Sequence, residues 1–474
     1  MKAGRRDSGP SLLLLRSSAE LVDRISRLKR HLDASGTATT EEHAQIVKTI
    51  RTPLDQILQL LAPTLARTFA RKNADKQRLD VLHNHLARLS RWFTTIHELS
   101  VYLPTPPVAR ETMAVLHGAF GDHYKEQSPS PLVGTIFNAF EFDFLQVVEQ
   151  RLPDLRNIVT SAERNVVLQL AVCDRESPAA WAVLAHEMGH AIDDHATVSQ
   201  QAVSVFVKDQ TSPAFELLLN WCQEMCADII AAEALGPASL LALLSIEYCI
   251  LPCYPIHGPT TTHPPTRWRF RIVADHLKVK YAAQDYLRDE AALYEDAWRY
   301  SATRAGLNPS TAASRDAALF RDVISPLTAE VRGRIKALSL PPHTITQGSL
   351  RRCMLRLERG FPISAQGADR GQLRGAVRDY RRARIPIGKA RVRAFRRLKE
   401  RFLERPVSFP QILLSAHKRR LALISEFSAN CRSDPSAAID TLEKRLAHLD
   451  ELILGSIRMS SVHHRVGEER SADG

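Results

Sequence analysis

Ala185-His186-Glu187-Met188-Gly189-His190, followed 34 residues after His190 by Glu224-Met225-Cys226-Ala227-Asp228, is the pair of stretches on which the reading of this chain turns. The first lies in an apolar segment opened by Ser177-Pro178. There the serine can cap a helix while the proline fills the first turn without wasting an N–H, so the spacing predicts a helix from Pro178. His186 and His190 then stand one turn apart on one face. Two imidazoles so placed can hold one Zn²⁺, and Glu187, the next residue round, can reach a water on that metal. Gly189 leaves the helix bare beside the metal face, where another element can approach closely.

A catalytic zinc needs a third protein ligand and keeps a fourth position for water. Ser212-Pro213 opens a second helix, which carries Glu224 and, one turn on, Asp228. Glu224 could bind the metal directly, and Asp228 could accept the spare ring N–H of a ligand histidine. Two carboxylates on a helix as apolar as this one (Leu217, Leu218, Leu219, Ile229, Ile230) are costly unless a cation pairs them. Other assignments compete. His195 follows His190 by five residues, whereas a three-histidine site needs six with glycine between, and Asp193 occupies that glycine position. His195 therefore reads as a helix-terminal surface residue. His257 or His263 could replace Glu224 as ligand. Tyr248 and Tyr254 could donate to an oxyanion, though such tyrosines more often serve as core or rim aromatics.

With Thr262-His263-Pro264-Pro265 and Arg269 added, the order and local spacing resemble those of the HtpX-like and CAAX prenyl endoprotease-like peptidases. These are gluzincins, with an HExGH motif, then ExxAD, then a T-H-P-P-type loop with Arg six residues after its His. The resemblance covers roughly residues 160–275. It implies His186, His190 and Glu224 as ligands of one zinc per chain, Glu187 as general base and Asp228 as support behind the ligands. His263 and Arg269 would order the cleft or bind the transition state. It further implies that Asn165 to Val172 is an edge strand that pairs with an extended peptide substrate. The expected activity is that of a zinc metalloendopeptidase hydrolysing peptide bonds through a zinc-bound water.

The 474 residues, 44% hydrophobic and 24% charged, are ordinary globular composition and exclude disorder as the dominant state. No apolar run reaches the ~20 residues of a membrane span, because Glu233, Gly236-Pro237 and Glu247 interrupt the nearest candidate. Leu12 to Leu15 is too short for a secretory signal, so a cytoplasmic location is expected. Seven scattered cysteines make no disulfide framework. Cys222/Cys226 and Cys249/Cys253, each four apart, read as small buried hydrophobes, with a structural zinc site as the alternative.

The expected fold is mainly α: a small α+β zincin-like core over 106–282 between a helical region 1–105, a helical extension 283–366 and a basic helical region 367–474. Leu21, Ile25, Leu28 and Leu32, then Leu79, Leu82, Leu86, Leu89 and Phe93, step at helical spacing. Ile46 to Leu61 is a further amphipathic stretch that Pro53 bends or divides. Pro104-Thr105-Pro106-Pro107 marks a boundary. Thr135 to Phe144 and Asn165 to Val172 are the strand candidates. Ile439, Leu442, Leu446, Leu449 and Ile453 form a seam expected to end at Gly455 and to pair with Ile412 to Phe427 in a hairpin, ahead of a disordered tail.

Arg370 to Arg405 holds fourteen Lys/Arg against three acids, eleven of the twelve net positive charges. That segment could attract nucleic acid, an anionic surface or an acidic protein. It motivates the alternative reading, a nucleic-acid- or partner-binding helical protein whose zincin core is structural or inactive. No oligomeric state follows from the sequence.

Overall fold

The structure, a computed structural model, describes residues 9–35, 40–69, 75–102, 110–120, 132–136, 143–146, 166–175, 177–250, 262–280, 285–304, 308–309, 316–341, 345, 347–363 and 407–472. The leucine periodicities of the first hundred residues become α1 (Gly9–Ser35), α2 (Glu41–Phe69) and α3 (Lys76–Glu98), with the stepping residues of α1 and α3 buried. Pro53 and Pro63 both lie inside α2 without dividing it. Each removes a helix hydrogen bond, but Leu54, Ile57, Leu61 and Leu65 stay buried on one face, and that packing holds the helix together.

After α4 (Arg110–Phe120) comes a small sheet of β1 (Leu132–Ile136), β2 (Asp143–Gln146) and β3 (Val166–Ala171), in the order β1-β3-β2. The strand expected over Thr135 to Phe144 is thus two strands. The edge-strand expectation for Asn165 to Val172 is overturned: β3 is central, parallel to β1 and antiparallel to β2. A strand bonded on both sides has no free edge for a substrate. Its run Val-Val-Leu-Gln-Leu-Ala, with Leu168 and Leu170 fully buried, is the near-continuous apolar pattern of an interior strand.

The helix expected from Pro178 is two pieces, α5 (Pro178–Trp181) and α6 (Leu184–Ala196). Ser177 makes no cap; its hydroxyl turns instead to Asp450 Oδ1 at 3.4 Å. His186 and His190 still share α6. Thr197, at φ 52°, separates α6 from α7 (Val198–Phe206). α8 (Pro213–Leu235) starts as expected, Ser212 Oγ accepting from the Phe215 N–H, and stops at Gly236, whose φ of 62° suits glycine. Then follow α9 (Pro237–Ile250), α10 (Thr266–Lys280), α11 (Asp285–Arg304), a π turn (Phe320–Ile324) running into α12 (Ser325–Ala337), and α13 (Gln347–Glu358). Cys222 and Cys226 are buried free thiols on α8, as the helical spacing suggested.

α14 (Phe409–Asn430) and α15 (Pro435–Ala472) form the expected hairpin over the buried Ile439–Ile453 seam. Gly455 does not end α15, and the polar residues after it are helical to Ala472 rather than disordered. Ile457 is fully buried beyond it, so packing outweighs the ~1 kcal/mol that a mid-helix glycine costs. The segment 370–405 lies outside the described residues, as do Tyr254 and His257. No described helix is long and apolar enough to cross a membrane.

The molecule is mainly α, with one continuous apolar core running from Leu13 to Ile457. α1 is its hub, packed on α3, α9, α11, α14 and α15. One face of α1 is leucine. The other is a run of buried charges tied to distant segments. Asp174, at 0% exposure, meets Arg24 Nη2 at 3.1 Å and Arg27 Nη1 at 2.7 Å. Arg420 of α14 meets Glu20 and Asp23, and Arg30 meets Asp450 of α15.

Two histidines inside this region make folding acid-sensitive. Burial, reinforced by Arg175, lowers His31 to about 4; burial, reinforced by Arg420, lowers His417 to about 3. Both lie below the unfolded value of ~6.5, so the native state binds fewer protons. Their contribution is complete above pH ~6.5 and is lost as pH falls towards 4, at up to ~1.4 kcal/mol per pH unit for each ring. Asp450, which burial raises to about 6 against the pull of Arg27, works in the opposite sense. Urea midpoints measured at pH 7.5, 6 and 5 are expected to fall, and a His417→Gln variant should flatten that slope. An unchanged slope in the variant would remove His417 from the account.

Candidate metal centre

Two helices and one loop build the site. α6 contributes His186, Glu187 and His190; α8 contributes Glu224 and Asp228; the 262–265 segment and the first turn of α10 contribute His263 and Arg269. Gly189 is what brings α6 and α8 together. A Cβ there would stand 2.7 Å from Ala227 Cα and 2.8 Å from the Ala227 carbonyl oxygen, closer than side-chain carbons pack.

Across this contact His186 Nε2 and His190 Nε2 face each other at 3.1 Å. Glu224 lies 3.5 Å from each, through Oε2 to His186 and Oε1 to His190. Ligand atoms of all three lie within 4.8 Å of one another. Zinc bonds of 2.0–2.1 Å in a tetrahedron set neighbouring ligand atoms about 3.3 Å apart, so these separations suit such an ion. Asp228 Oδ1 stands 2.9 Å from His186 Nδ1 on the far side of the ring, which leaves Nε2 towards the group. Glu224 Oε2 is buried without a well-aligned hydrogen bond among the described residues.

Arg269 grips Asp228 with two hydrogen bonds, Nε to Oδ2 at 2.7 Å and Nη2 to Oδ1 at 2.9 Å, and reaches Glu224 Oε2 with Nη1 at 3.1 Å. His263 Nε2 lies 3.4 Å from Glu224 Oε1. Glu187 is 7% exposed on the same helix as the histidines but stands outside the ligand group. With His186 neutral, as a metal ligand must be, Glu187, Glu224 and Asp228 against Arg269 leave two formal negative charges, which a divalent cation would balance.

Without a cation, a proton on His186 supplies one of those two charges. Burial alone would raise the two α8 carboxyls, but Arg269 and His186 outweigh it. Asp228 is held at about 2 and Glu224 well below the usual carboxylate range. Burial would lower His186, yet Asp228 raises it to about 10, while burial and the charge on His186 lower His190 to about 4. Imidazoles bind cations in the neutral form, so loading the site would release the proton His186 carries.

His195 is exposed in the last turn of α6, away from the group. Tyr248 is fully buried, with the Arg16 guanidinium 5.3 Å from its ring centroid. Two acids, buried Asp193 and half-buried Glu247, escaped the sequence reading. Asp193 accepts from the Ser199 N–H at 2.8 Å and fixes the corner between α6 and α7. Glu247 of α9 is pushed up to about 7 by burial, against the pull of Arg269. Its signal was present: an acid inside the apolar run Leu-Leu-Ser-Ile-Glu-Tyr, the same anomaly that marked Glu224 and Asp228.

No protein-family model matches the chain, and no curated protein or solved structure shows a significant match.

Proposed function

We propose that this protein is a zinc-dependent metallopeptidase of gluzincin type, with His186, His190 and Glu224 holding one zinc. The observation that carries the reading is the convergence of these three side chains from two helices at ligand spacing, with Glu187 beside them. A bound zinc supplies Lewis acidity, polarising the scissile carbonyl and making water acidic enough to react near neutral pH. Glu187 takes the proton of the attacking water and delivers it to the leaving amine. Asp228 orients His186 from behind. Arg269 neutralises Asp228 and steadies Glu224.

The testing measurement is zinc per chain by mass spectrometry on wild type, His186→Ala and Glu224→Ala. About one zinc in wild type is expected, lost in both variants; zinc held tightly by His186→Ala would assign the ligands elsewhere. A cytoplasmic setting and a role for 370–405 in attracting an anionic partner belong to the same proposal. Phosphate contacts by that segment would weaken steeply between low and physiological salt.

A further inference from the structure

Both carboxylate oxygens of Glu224 face groups outside the ligand set, as do both ring nitrogens of His186, which meet Asp228 at 2.9 Å and Arg269 Nη2 at 3.4 Å. Oε1 faces His190 at 3.5 Å and His263 at 3.4 Å; Oε2 faces His186 at 3.5 Å and Arg269 at 3.1 Å. Each oxygen thus meets one ligand imidazole and one outer cationic or N–H group. Both outer groups come from a single short segment, residues 262–269, stiffened by Pro264-Pro265 and passing directly into α10.

The loop histidine is itself oriented. Thr262 Oγ1 stands 2.8 Å from His263 Nδ1. A neutral imidazole has one N–H and one lone pair. If Nδ1 carried the hydrogen, Nε2 would turn a lone pair on the Glu224 carboxylate, which repels it. The favourable arrangement has the Thr262 hydroxyl donating to Nδ1 and the Nε2–H on the side of Oε1, 3.4 Å away. Thr262, His263 and Glu224 then form a chain whose last link acts on the carboxylate.

We infer that residues 262–269 are a two-point clamp on the Glu224 carboxylate, with His263 a positioning residue for the metal ligand rather than a group acting on substrate. A glutamate side chain that binds a metal must give up most of its rotamer freedom at the moment of binding. Flanked at both oxygens, Glu224 has less of it left to give up. Whichever oxygen turns to a cation, the other keeps an outer partner, as supporting groups behind ligands do in metal sites generally. This inference rests on the zinc reading above.

The test is zinc affinity of the full chain, measured by competition with a chromophoric chelator, for wild type, His263→Ala, His263→Gln and Thr262→Val. His263 is 55% exposed on its loop, so these substitutions leave the core intact, and thermal melting verifies it. His263→Ala is expected to weaken zinc about 10-fold or more, the range for loss of a supporting group. His263→Gln, which keeps an N–H donor, should recover most of that loss, and Thr262→Val should weaken zinc in the same direction by less. Equal zinc affinity in wild type and His263→Ala would overturn the clamp. So would intact affinity with lost hydrolysis of a casein probe, which would place His263 on the substrate. Wild type taking up no zinc would instead overturn the metal reading beneath it, a failure distinct from either.

Discussion

Glu187→Gln is expected to keep its zinc and lose peptide hydrolysis by about 10²–10⁴-fold, the usual contribution of a positioned general base. The substitution is close to isosteric, which matters because Glu187 is only 7% exposed and a shorter side chain would leave a gap in α6. Glu187 is outside the group of ligating atoms, so the metal should be unaffected. What disappears is the ability to accept a proton, since an amide is not a base at any accessible pH. The assay is hydrolysis of a fluorescent casein by metal-replete protein, with zinc content determined on the same sample. Hydrolysis within about tenfold of wild type would remove Glu187 from the base role and would falsify the mechanism as drawn.

The second large effect concerns folding. Asp174→Ala is expected to destabilise the protein by about 3–5 kcal/mol, because it removes the carboxylate that the buried Arg24 and Arg27 guanidinia share, although Arg27 keeps Asp23. Exposed ion pairs are worth a fraction of that, but Asp174 has no solvent contact and both arginines are nearly as deep. The consequence reaches the site, since Asp174 ends the 3-10 turn after β3 and lies twelve residues before His186 in the same entry to α6. Urea unfolding monitored by tryptophan fluorescence measures the loss. A change below ~1 kcal/mol would show that water or rearranged partners take the carboxylate's place. Combining Asp174→Leu with Arg24→Met should cost less than the sum of the single changes, because the pair is removed together.

The site was more legible in the sequence than the fold around it, for physical reasons. His186, His190, Glu224 and Asp228 sit on helices at i, i+4 spacing, so local geometry alone places each pair on one face. Gly189 could be flagged for close approach because a missing Cβ has one obvious use, and Ala227 is the group that comes close. The sheet was less legible because an apolar run gives a strand without giving its neighbours. Val166 to Ala171 reads the same whether β2 lies against it or a substrate does. Ser177 failed as a cap for a related reason: the competing acceptor, Asp450, is 273 residues away. Gly455 misled because a stop signal weighs little when Ile457, two residues on, is fully buried. Glu247 was visible as an anomaly but had no spacing partner to give it a role.

The arrangement of α1 also sets an order on how the chain can assemble. This helix leaves the ribosome ahead of everything it packs against, yet Glu20 and Asp23 meet Arg420, and Arg30 meets Asp450, some four hundred positions later. Until those arrive, its leucine face and its charged face have no permanent home, and only fragments of either can be sheltered. Contacts of such long sequence separation make folding slow and leave apolar surface open to other chains. The element at the centre of the finished molecule is therefore the one that waits longest for its last partners.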